Sequence, residues 1–439
     1  MSERTSDFRY STGETRVPWA AVGEHVNLDD IEAILRFLVP PQEGRETEYE
    51  AAVASAREAV GEMFAAGGPA TKLTLGRKVQ ELEARAREML GCKHALFLTN
   101  ATAGFQIAYK MAGIGPGDEV ICPSITFIST ALYPLSVGAK VVFADLDPRT
   151  INMDPADVAR KITDRTRMIV PVHIGGYPVD MDPIMQMARE RGVLVLEDAA
   201  HAFGAWYKGR AVGTIGDFGA YSFHEVKNIN ACGEGGLMVT NNDTYGPALS
   251  LARFVGLDLS RQIPNWLYDV VGVPTCEGLC APGNDSVTEI QAVVLLSQMR
   301  RLGRIIAERK RNADYLNERF AEVEGLLPAP GDTEDIKTTW HLYLLEVDPE
   351  VVGADIQALK AKLNERGVTN IPHFAPLYKF QLFHRLGYDP QAIARSCPNT
   401  EEVFNRRFTH LPLYPLTQEQ VEYMADAVIE AVEELKAGR

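Results

Sequence analysis

Two side chains with complementary chemistry lie close together in the stretch Leu194–Gly236. Asp198 follows the apolar run VLVLE, and Lys227 follows a second apolar run at Gly219–Ser222. A carboxylate in the position of Asp198 would lie at the carboxyl end of a strand, which is where open α/β sheets bind ligands. A glycine-rich turn comes directly after the lysine. This order of residues predicts a ligand site built around Asp198 and Lys227.

An aspartate and a lysine in these places suit pyridoxal phosphate (PLP). The lysine amine can form a Schiff base with the cofactor aldehyde, and the aspartate can keep the pyridine nitrogen protonated so that the ring accepts electrons. A buried carboxylate is costly unless it is paired, and a pyridinium is a suitable partner. We therefore expect PLP as the cofactor.

The phosphate of such a cofactor needs hydrogen-bond donors. The segment NATAG, which begins at Asn100, follows a predicted strand and opens a predicted helix. Helix N-termini attract anions through their free N–H groups, and Thr102 and Ser222 can add hydroxyls. Phe127 can stack on the ring. Each residue alone has an ordinary structural explanation, so the prediction depends on their order and spacing together.

The elements that must position these residues begin near residue 95, where short apolar runs alternate with helical stretches. This alternation is typical of a mostly parallel sheet covered by helices. The last two strands follow each other without a long helix, which predicts a mixed sheet there. The predicted strands are Ala95–Leu98, Glu119–Cys122, Val141–Ala144, Met168–Val172, Leu194–Glu197, Gly219–Ser222 and Gly236–Thr240.

Three regions are predicted along the chain. Residues 1–72 form an N-terminal extension with helices at Leu28–Leu38 and Tyr49–Ala65, and residues 73–255 form a large α/β cofactor-binding domain. Residues 256–439 form a smaller α+β domain that includes a long linking helix or two joined helices at Thr288–Phe320. Its first part, Leu257–Asn284, contains three prolines and is expected to be a loop.

Composition excludes several classes of protein. The 439 residues carry a formal net charge of -15 and show no basic cluster, which argues against a nucleic-acid binder. No apolar run reaches the roughly 18–20 residues that cross a bilayer. The polar N-terminus lacks the apolar core of an export signal, so we expect a cytoplasmic protein with reduced thiols. Cys276 and Cys280 have no second pair nearby, and no metal site is predicted.

Taken together, these motifs resemble the DegT–DnrJ family of PLP-dependent sugar aminotransferases of fold type I. The resemblance covers most of residues 73–435. The matching segments are LTLGRKVQELE, GIGPGDEVICPSITF, GAKVVFADLD, GGYPVDMDPI, LEDAAHAFGAWYKG, SFHEVKNINACGEGG and CPNTEEVFNRRFTHLPLYPLT. As a set they are specific.

The resemblance implies a role for each matching residue. Lys227 is the expected Schiff-base lysine, Asp198 the partner of the pyridine nitrogen and His201 the neighbour of the phenolic oxygen. The phosphate is expected at Thr102, Ala103 and Ser222, with Phe127 on the ring. Asn284 resembles a residue that reaches the phosphate of the neighbouring subunit, which implies a homodimer with shared active sites.

The chain departs from the family pattern in three places. Asp285 and Ser286 follow Asn284 where the family has an aromatic residue and an arginine. Residues 40–72 look like an insertion. Tyr378 stands where the family commonly has histidine. These departures indicate an atypical substrate pocket, and the residues expected there are His373, Tyr378 and Trp340.

The implied activity is an aminotransferase that moves nitrogen from glutamate or glutamine to a keto-sugar, expected to be nucleotide-linked. Surface-glycan and secondary-metabolite biosynthesis both fit. Two alternatives are a cyclitol ketone as acceptor and a PLP-dependent sugar dehydratase. The dehydratase branch replaces the lysine with histidine, so Lys227 favours transamination. A third alternative, a silent scaffold, is disfavoured because the lysine, the aspartate and the phosphate residues are all present.

Overall fold

The computed structural model describes residues 24–67, 72–257, 270–371 and 373–438. In chain order, the α-helices are α1 (Leu28–Leu38), α2 (Glu46–Gly67), α3 (Arg77–Leu90), α4 (Ala101–Met111), α5 (Ser129–Ser136), α6 (Pro155–Lys161), α7 (Met181–Arg191), α8 (Leu249–Arg253), α9 (Glu289–Met299), α10 (Leu302–Ala321), α11 (Pro349–Val352), α12 (Ile356–Glu365), α13 (Gln381–Arg385), α14 (Pro390–Ser396), α15 (Pro398–Glu402) and α16 (Gln418–Ala437). The strands are β1 (His94–Leu98), β2 (Glu119–Pro123), β3 (Lys140–Ala144), β4 (Thr166–Ile169), β5 (Leu194–Asp198), β6 (Trp206–Tyr207), β7 (Arg210–Ala211), β8 (Phe218–Ser222), β9 (Gly236–Thr240), β10 (Val273–Thr275), β11 (Gly278–Cys280), β12 (Leu326–Leu327), β13 (Ile336–Lys337), β14 (Tyr343–Val347) and β15 (Phe408–Leu411).

A seven-stranded sheet forms the centre of the molecule, with the strand order β1-β9-β8-β5-β4-β2-β3. The strands from β8 to β3 in this order pair in parallel, whereas β9 is antiparallel to both of its neighbours. The predicted α/β class, the mostly parallel sheet and the change of direction at the last strand are thus confirmed. The largest difference is at β4, which ends at Ile169 instead of the predicted Val172.

Helices cover both faces of the sheet, so its strands are buried on both sides. Every residue of β2, β8 and β9 is buried, as expected for a sheet between two helical layers. The core on one face joins Phe97 and Val195 of the sheet with Leu82 of α3, Leu295 of α9 and Ile305 of α10. Side chains beyond residue 255 therefore contribute to the core of the large sheet.

The C-terminal unit is built on a small antiparallel sheet with the order β12-β14-β15. Its core contains Phe320 of α10, Tyr343 of β14 and Val428 of α16. The predicted loop at 257–284 contains the β10–β11 hairpin, while residues 258–269 lie outside the described residues. The predicted linking segment forms two helices, α9 and α10.

The N-terminal extension contains a helical hairpin whose two helices contact each other and bury no residue completely. Asn27 caps α1 through a capping box. Ion pairs of Arg36 with Glu50 and of Arg57 with Glu32 join the two helices. Residues 1–23 and 68–71 of the predicted extension lie outside the described residues.

A buried carboxylate fixes the end of the central strand β5. Glu197 is 0% exposed and accepts hydrogen bonds from the N–H groups of Gly213, Ile215 and Gly216 at 2.7, 2.6 and 2.6 Å. The His173 ring lies 3.2 Å away through Nε2. The Nδ1 atom of His173 accepts the Val179 N–H at 3.0 Å, so Nε2 carries the proton that His173 donates to Glu197. The network ties β5 to the loop before β8.

We predict that Glu197→Ala destabilises the protein strongly. The change leaves three buried N–H groups without an acceptor, and breaking such a buried network costs about 3–5 kcal/mol. Chemical denaturation of the purified variant measures this loss. Glu190→Ala is the matched control, because Glu190 is exposed on α7. Equal stability of the two variants would contradict the structural role of Glu197.

Candidate active site

A cavity of about 620 Å³ lies where several strands of the large sheet end. Asp198 ends β5, Ser222 ends β8, and Asn100 follows β1. These strands run in the same direction, so their carboxyl ends meet at one edge. The predicted residues that line the cavity are Thr102, Phe127, Asp198, His201, Ser222, Lys227 and His373.

Asp198 lies at the inner wall of this cavity and is 4% exposed. Its Oδ2 accepts the Thr130 hydroxyl at 2.8 Å, and its Oδ1 accepts the Ala200 N–H at 3.1 Å. Burial raises the pKa of Asp198, while these hydrogen bonds and the charge of Lys227 lower it. Neither hydrogen-bond donor brings a positive charge, so the carboxylate can still accept a cationic partner.

Lys227 lies in the turn after β8, where its backbone N–H donates to the His224 carbonyl at 2.9 Å. The side chain is half-buried, and among the described residues its amine has no hydrogen-bond partner. Burial lowers the pKa of Lys227 to about 8, although the charge of Asp198 opposes this shift. The amine therefore exchanges protons near neutral pH, as a proton-transferring lysine must.

The N-terminus of α4 forms an anion-binding corner. The Asn100 side chain caps the helix by accepting the Ala103 N–H at 2.9 Å. The N–H groups of Ala101 and Thr102 keep no partner among the described residues and are available to an anion. Ser222 Oγ accepts the His224 N–H at 3.3 Å, which leaves its own proton free.

Two details of this corner follow from close contacts. Ala103 was expected to hold phosphate, but its N–H is taken by Asn100 and it does not line the cavity. Ala101, which the sequence analysis did not select, lines the cavity instead.

A Cβ atom at Gly236 would come 2.1 Å from the carbonyl carbon of Asn100. Only glycine lets β9 pass this close to the start of α4.

His201 is buried beside the cavity, and its protonation follows from its hydrogen bond. Nδ1 accepts the Gly175 N–H at 3.3 Å. Burial lowers the pKa of His201 well below its ordinary value, so the ring is neutral. A neutral ring with Nδ1 as acceptor carries its proton on Nε2. His201 can therefore donate one hydrogen bond into the cavity, which fits a phenolic oxygen.

Phe127 and His373 lie farther out along the cavity. Phe127 is 56% exposed, and its ring lies 5.8 Å from the ring of Phe374. His373 Nδ1 and His410 Nε2 are 2.5 Å apart. Burial lowers the pKa of His410 to about 3. The outer cavity thus offers aromatic faces and uncharged imidazoles.

The C-terminal unit supplies ten lining residues that the sequence analysis did not select, among them Arg309, His341, Phe374 and His410. The His341 ring lies 4.4 Å from that of His201, and its Nδ1 is 3.0 Å from Asn228 Oδ1. These contacts form only when the C-terminal unit packs against the edge of the sheet. The spacing of residues within one segment therefore does not predict them. A histidine at the start of the apolar segment HLYLLEV was the one available signal.

Besides Ala103, three predicted site residues lie outside this cavity. Tyr378 is buried against Phe143 and donates its hydroxyl to Glu401 at 2.6 Å. Trp340 is 2% exposed, and only its neighbour His341 lines the cavity. Asn284 lies in the loop before α9, where its Oδ1 accepts the Ser286 N–H. The structure therefore does not bring these three side chains together with Lys227.

Comparison with known proteins identifies the chain. A sequence model of the DegT/DnrJ/EryC1/StrS aminotransferase family matches residues 56–429. The chain belongs to this family. It is 35% identical over 375 residues to the spore coat polysaccharide biosynthesis protein SpsC of Bacillus subtilis, which covers 83% of this chain and 91% of SpsC.

Solved structures of other aminotransferases agree with this assignment. The sugar aminotransferase Spr1654 of Streptococcus pneumoniae in its PMP form gives a TM-score of 0.73 at 27% identity, covering 83% of this chain and 94% of that one. The 3-amino-5-hydroxybenzoic acid (AHBA) synthase gives 0.72 at 30% identity, covering 82% and 91%. DesV of S. venezuelae, in complex with a ketimine intermediate, gives 0.71 at 27% identity, covering 88% and 97%.

The protein is therefore a PLP-dependent aminotransferase of fold type I, as the sequence indicated. The residues present fit PLP, because a buried carboxylate held by two neutral donors and the free N–H groups at the start of α4 line one cavity with the Lys227 amine. Asp198, Thr102, Ser222 and Lys227 would hold the group.

The described part of the chain lacks two kinds of feature. No helix there is long and apolar enough to cross a membrane. No group of three or more histidine, cysteine or acidic side chains is arranged to hold a metal ion among the described residues. Cys276 and Cys280 carry free thiols.

We predict that Lys227 in the cofactor-free protein reacts with amine reagents with a midpoint near pH 8. Only the neutral amine reacts. With a pKa of about 8, Lys227 becomes neutral at a clearly lower pH than an ordinary lysine does. Asp198→Asn should move the midpoint to lower pH, because it removes the charge that favours the ammonium form. Peptide mass spectrometry measures the labelling.

Lys208 provides the internal control in the same sample. Its ion pair with Asp182 raises its pKa, so its labelling should stay low across this pH range. A Lys227 midpoint near that of an ordinary lysine, about 10, would show that the amine is not desolvated.

Proposed function

We propose that this aminotransferase moves the amino group of glutamate or glutamine to the ketone of a nucleotide-linked sugar in surface-glycan or secondary-metabolite biosynthesis. The observation that carries the proposal is the desolvated Lys227 amine in one cavity with the buried Asp198 carboxylate. Its relative SpsC is named for polysaccharide biosynthesis, which supports the surface-glycan setting.

Lys227 is proposed to hold the cofactor covalently and then to move the reacting proton. When bound, PLP supplies an aldehyde that carries nitrogen and a ring that accepts electrons. Because the pKa of Lys227 is lowered to about 8, roughly a tenth of the released amine is neutral at pH 7 and can take a proton from the donor Cα. The resulting ammonium can return that proton to the adjacent carbon of the cofactor.

The neighbouring residues are proposed to orient the group. Asp198 keeps a proton on the pyridine nitrogen, and Thr130 and Ala200 hold its carboxylate in place. His201 donates from Nε2 to the phenolic oxygen. The start of α4, with Thr102, and the Ser222 hydroxyl bind the phosphate, and Phe127 covers one face of the ring.

A carbocyclic ketone is the second candidate acceptor. The similarity to AHBA synthase, at 30% identity, supports it. The uncharged imidazoles of His201, His341 and His410 can exchange hydrogen bonds with ring hydroxyls of either acceptor. Sugar dehydration is disfavoured because residue 227 is a lysine rather than a histidine.

A homodimer with shared active sites is part of the proposal. Asn284 does not line the cavity of its own chain, and Phe127 leaves much of its ring uncovered. Both observations are consistent with a second chain completing each site. In this arrangement Asn284 contacts the cofactor phosphate in the partner's cavity.

We predict that Lys227→Ala abolishes nitrogen transfer, because it removes both the covalent anchor and the proton carrier. The assay follows ¹⁵N from labelled glutamate or glutamine into a panel of keto-sugars and cyclitol ketones by mass spectrometry. Product mass separates amine transfer from dehydration. Lys208→Ala, which changes an exposed lysine, should keep full activity. Near-normal transfer by the Lys227 variant would refute the proposed role.

We predict that Asn284→Ala impairs activity by removing the proposed phosphate contact, and that mixing its subunits with Lys227→Ala subunits restores native sites. In a hybrid of Asn284→Ala and Lys227→Ala chains, one of the two shared sites contains both native residues. Random reassembly should therefore recover about a quarter of the native sites in a two-fold dimer. Activity after mild dissociation and remixing measures this recovery. No recovery, with hybrid dimers shown by native mass spectrometry, would refute the shared site.

A further inference from the structure

Arg309 is a buried cation that faces the active-site cavity and has no assigned role. It lies on α10, is 6% exposed and lines the cavity. Its Nη1 donates to the carbonyl oxygens of Trp340 and His341 at 3.3 and 3.1 Å. Among the described residues no carboxylate pairs with it, and its Nε is buried without a partner.

One nitrogen of the guanidinium remains available to a carboxylate. Because Nη1 is engaged by two carbonyls and Nε is fully covered by protein, Nη2 carries the unused protons that the cavity can reach. A charged N–H donor of this kind forms strong hydrogen bonds to carboxylate oxygens. The Tyr414 ring lies over the guanidinium at 5.1 Å and limits the approach to the cavity side.

The charges around the cavity leave Arg309 uncompensated. Lys227 and Arg309 are the only lysine or arginine among the described lining residues. The carboxylate of Asp198 lies near the amine of Lys227. The two carbonyls that Arg309 contacts are neutral, so they do not compensate its positive charge. Burial lowers the pKa of Arg309 only to about 10, so it remains protonated. A buried charge of this kind needs an anionic partner.

We propose that Arg309 binds a carboxylate of the amino donor. The inference rests on the proposed function, in which glutamate or glutamine enters this cavity. A nucleotide-linked acceptor is the other source of an anion, but a diphosphate carries several charges and Arg309 offers one. The confined edge between the Tyr414 ring and the two carbonyls also suits a small group better than a bulky one.

The test measures ligand binding as well as turnover. Glutarate, which cannot react, and uridine diphosphate are titrated separately into the holoenzyme by calorimetry. Arg309→Met should weaken glutarate binding by about 10- to 100-fold, the range for a lost hydrogen bond between charged groups. Binding of the diphosphate should change less than about twofold, a difference that corresponds to only a fraction of 1.4 kcal/mol.

Two further variants separate charge, geometry and stability. Arg309→Lys keeps the charge but loses the fork, so it should weaken glutarate by about fivefold to tenfold. The Arg309→Lys variant also provides the test if the Arg309→Met variant does not fold. Arg311→Met is the matched control, because Arg311 is exposed on the same helix, and it should leave both affinities unchanged.

Each other outcome overturns the inference. Unchanged glutarate affinity in both Arg309 variants shows that the cation is structural, and so does an equal loss for both ligands with a lower melting temperature. Selective loss of the diphosphate assigns Arg309 to the acceptor. Turnover adds a separate readout, since KM should rise for the donor and not for the acceptor. If the wild-type enzyme transfers nitrogen from neither donor, it is the proposed function that fails.

Discussion

A carboxylate buried at the end of a central strand needs a positive charge beside it, and the active site depends on this constraint. The oxygens of Asp198 are held by the Thr130 hydroxyl and the Ala200 N–H, which are neutral donors. They fix the direction of the carboxylate without cancelling its charge. The proposed role of Asp198 therefore requires β5, α5 and the turn that carries Lys227 to be placed together.

Burial sets the protonation of the whole cavity, because desolvation always disfavours the charged form. The same environment that raises the pKa of Asp198 lowers that of Lys227 to about 8 and that of His410 to about 3. The imidazoles of His201 and His341 are neutral for the same reason. The imidazoles that line the cavity consequently present uncharged hydrogen-bonding groups, which suits a polyhydroxylated acceptor, while Arg309 keeps its charge.

The sheet and the residues at its carboxyl edge could be predicted from the sequence because both are local patterns. Runs of apolar residues indicated the seven strands. The order of the motifs indicated that Asp198, Ser222 and Lys227 lie at or after the carboxyl ends of these strands. At the start of α4, Thr102 lines the cavity, and Ala101 lines it in place of Ala103. Which N–H of a helix start stays free depends on the capping side chain, here Asn100, and spacing alone does not show this.

Apart from His373, the wall formed by the C-terminal unit could not be predicted, because its contacts arise between segments that are far apart in sequence. The helix α10 shows why. Ile305 near its start belongs to the core of the large sheet, whereas Phe320 near its end belongs to the core of the small one. Arg309 lies between these two anchors, so both cores determine where its guanidinium sits. A donor carboxylate bound there would contact the helix that joins the two units, and donor binding would therefore depend on how the C-terminal unit packs against the sheet.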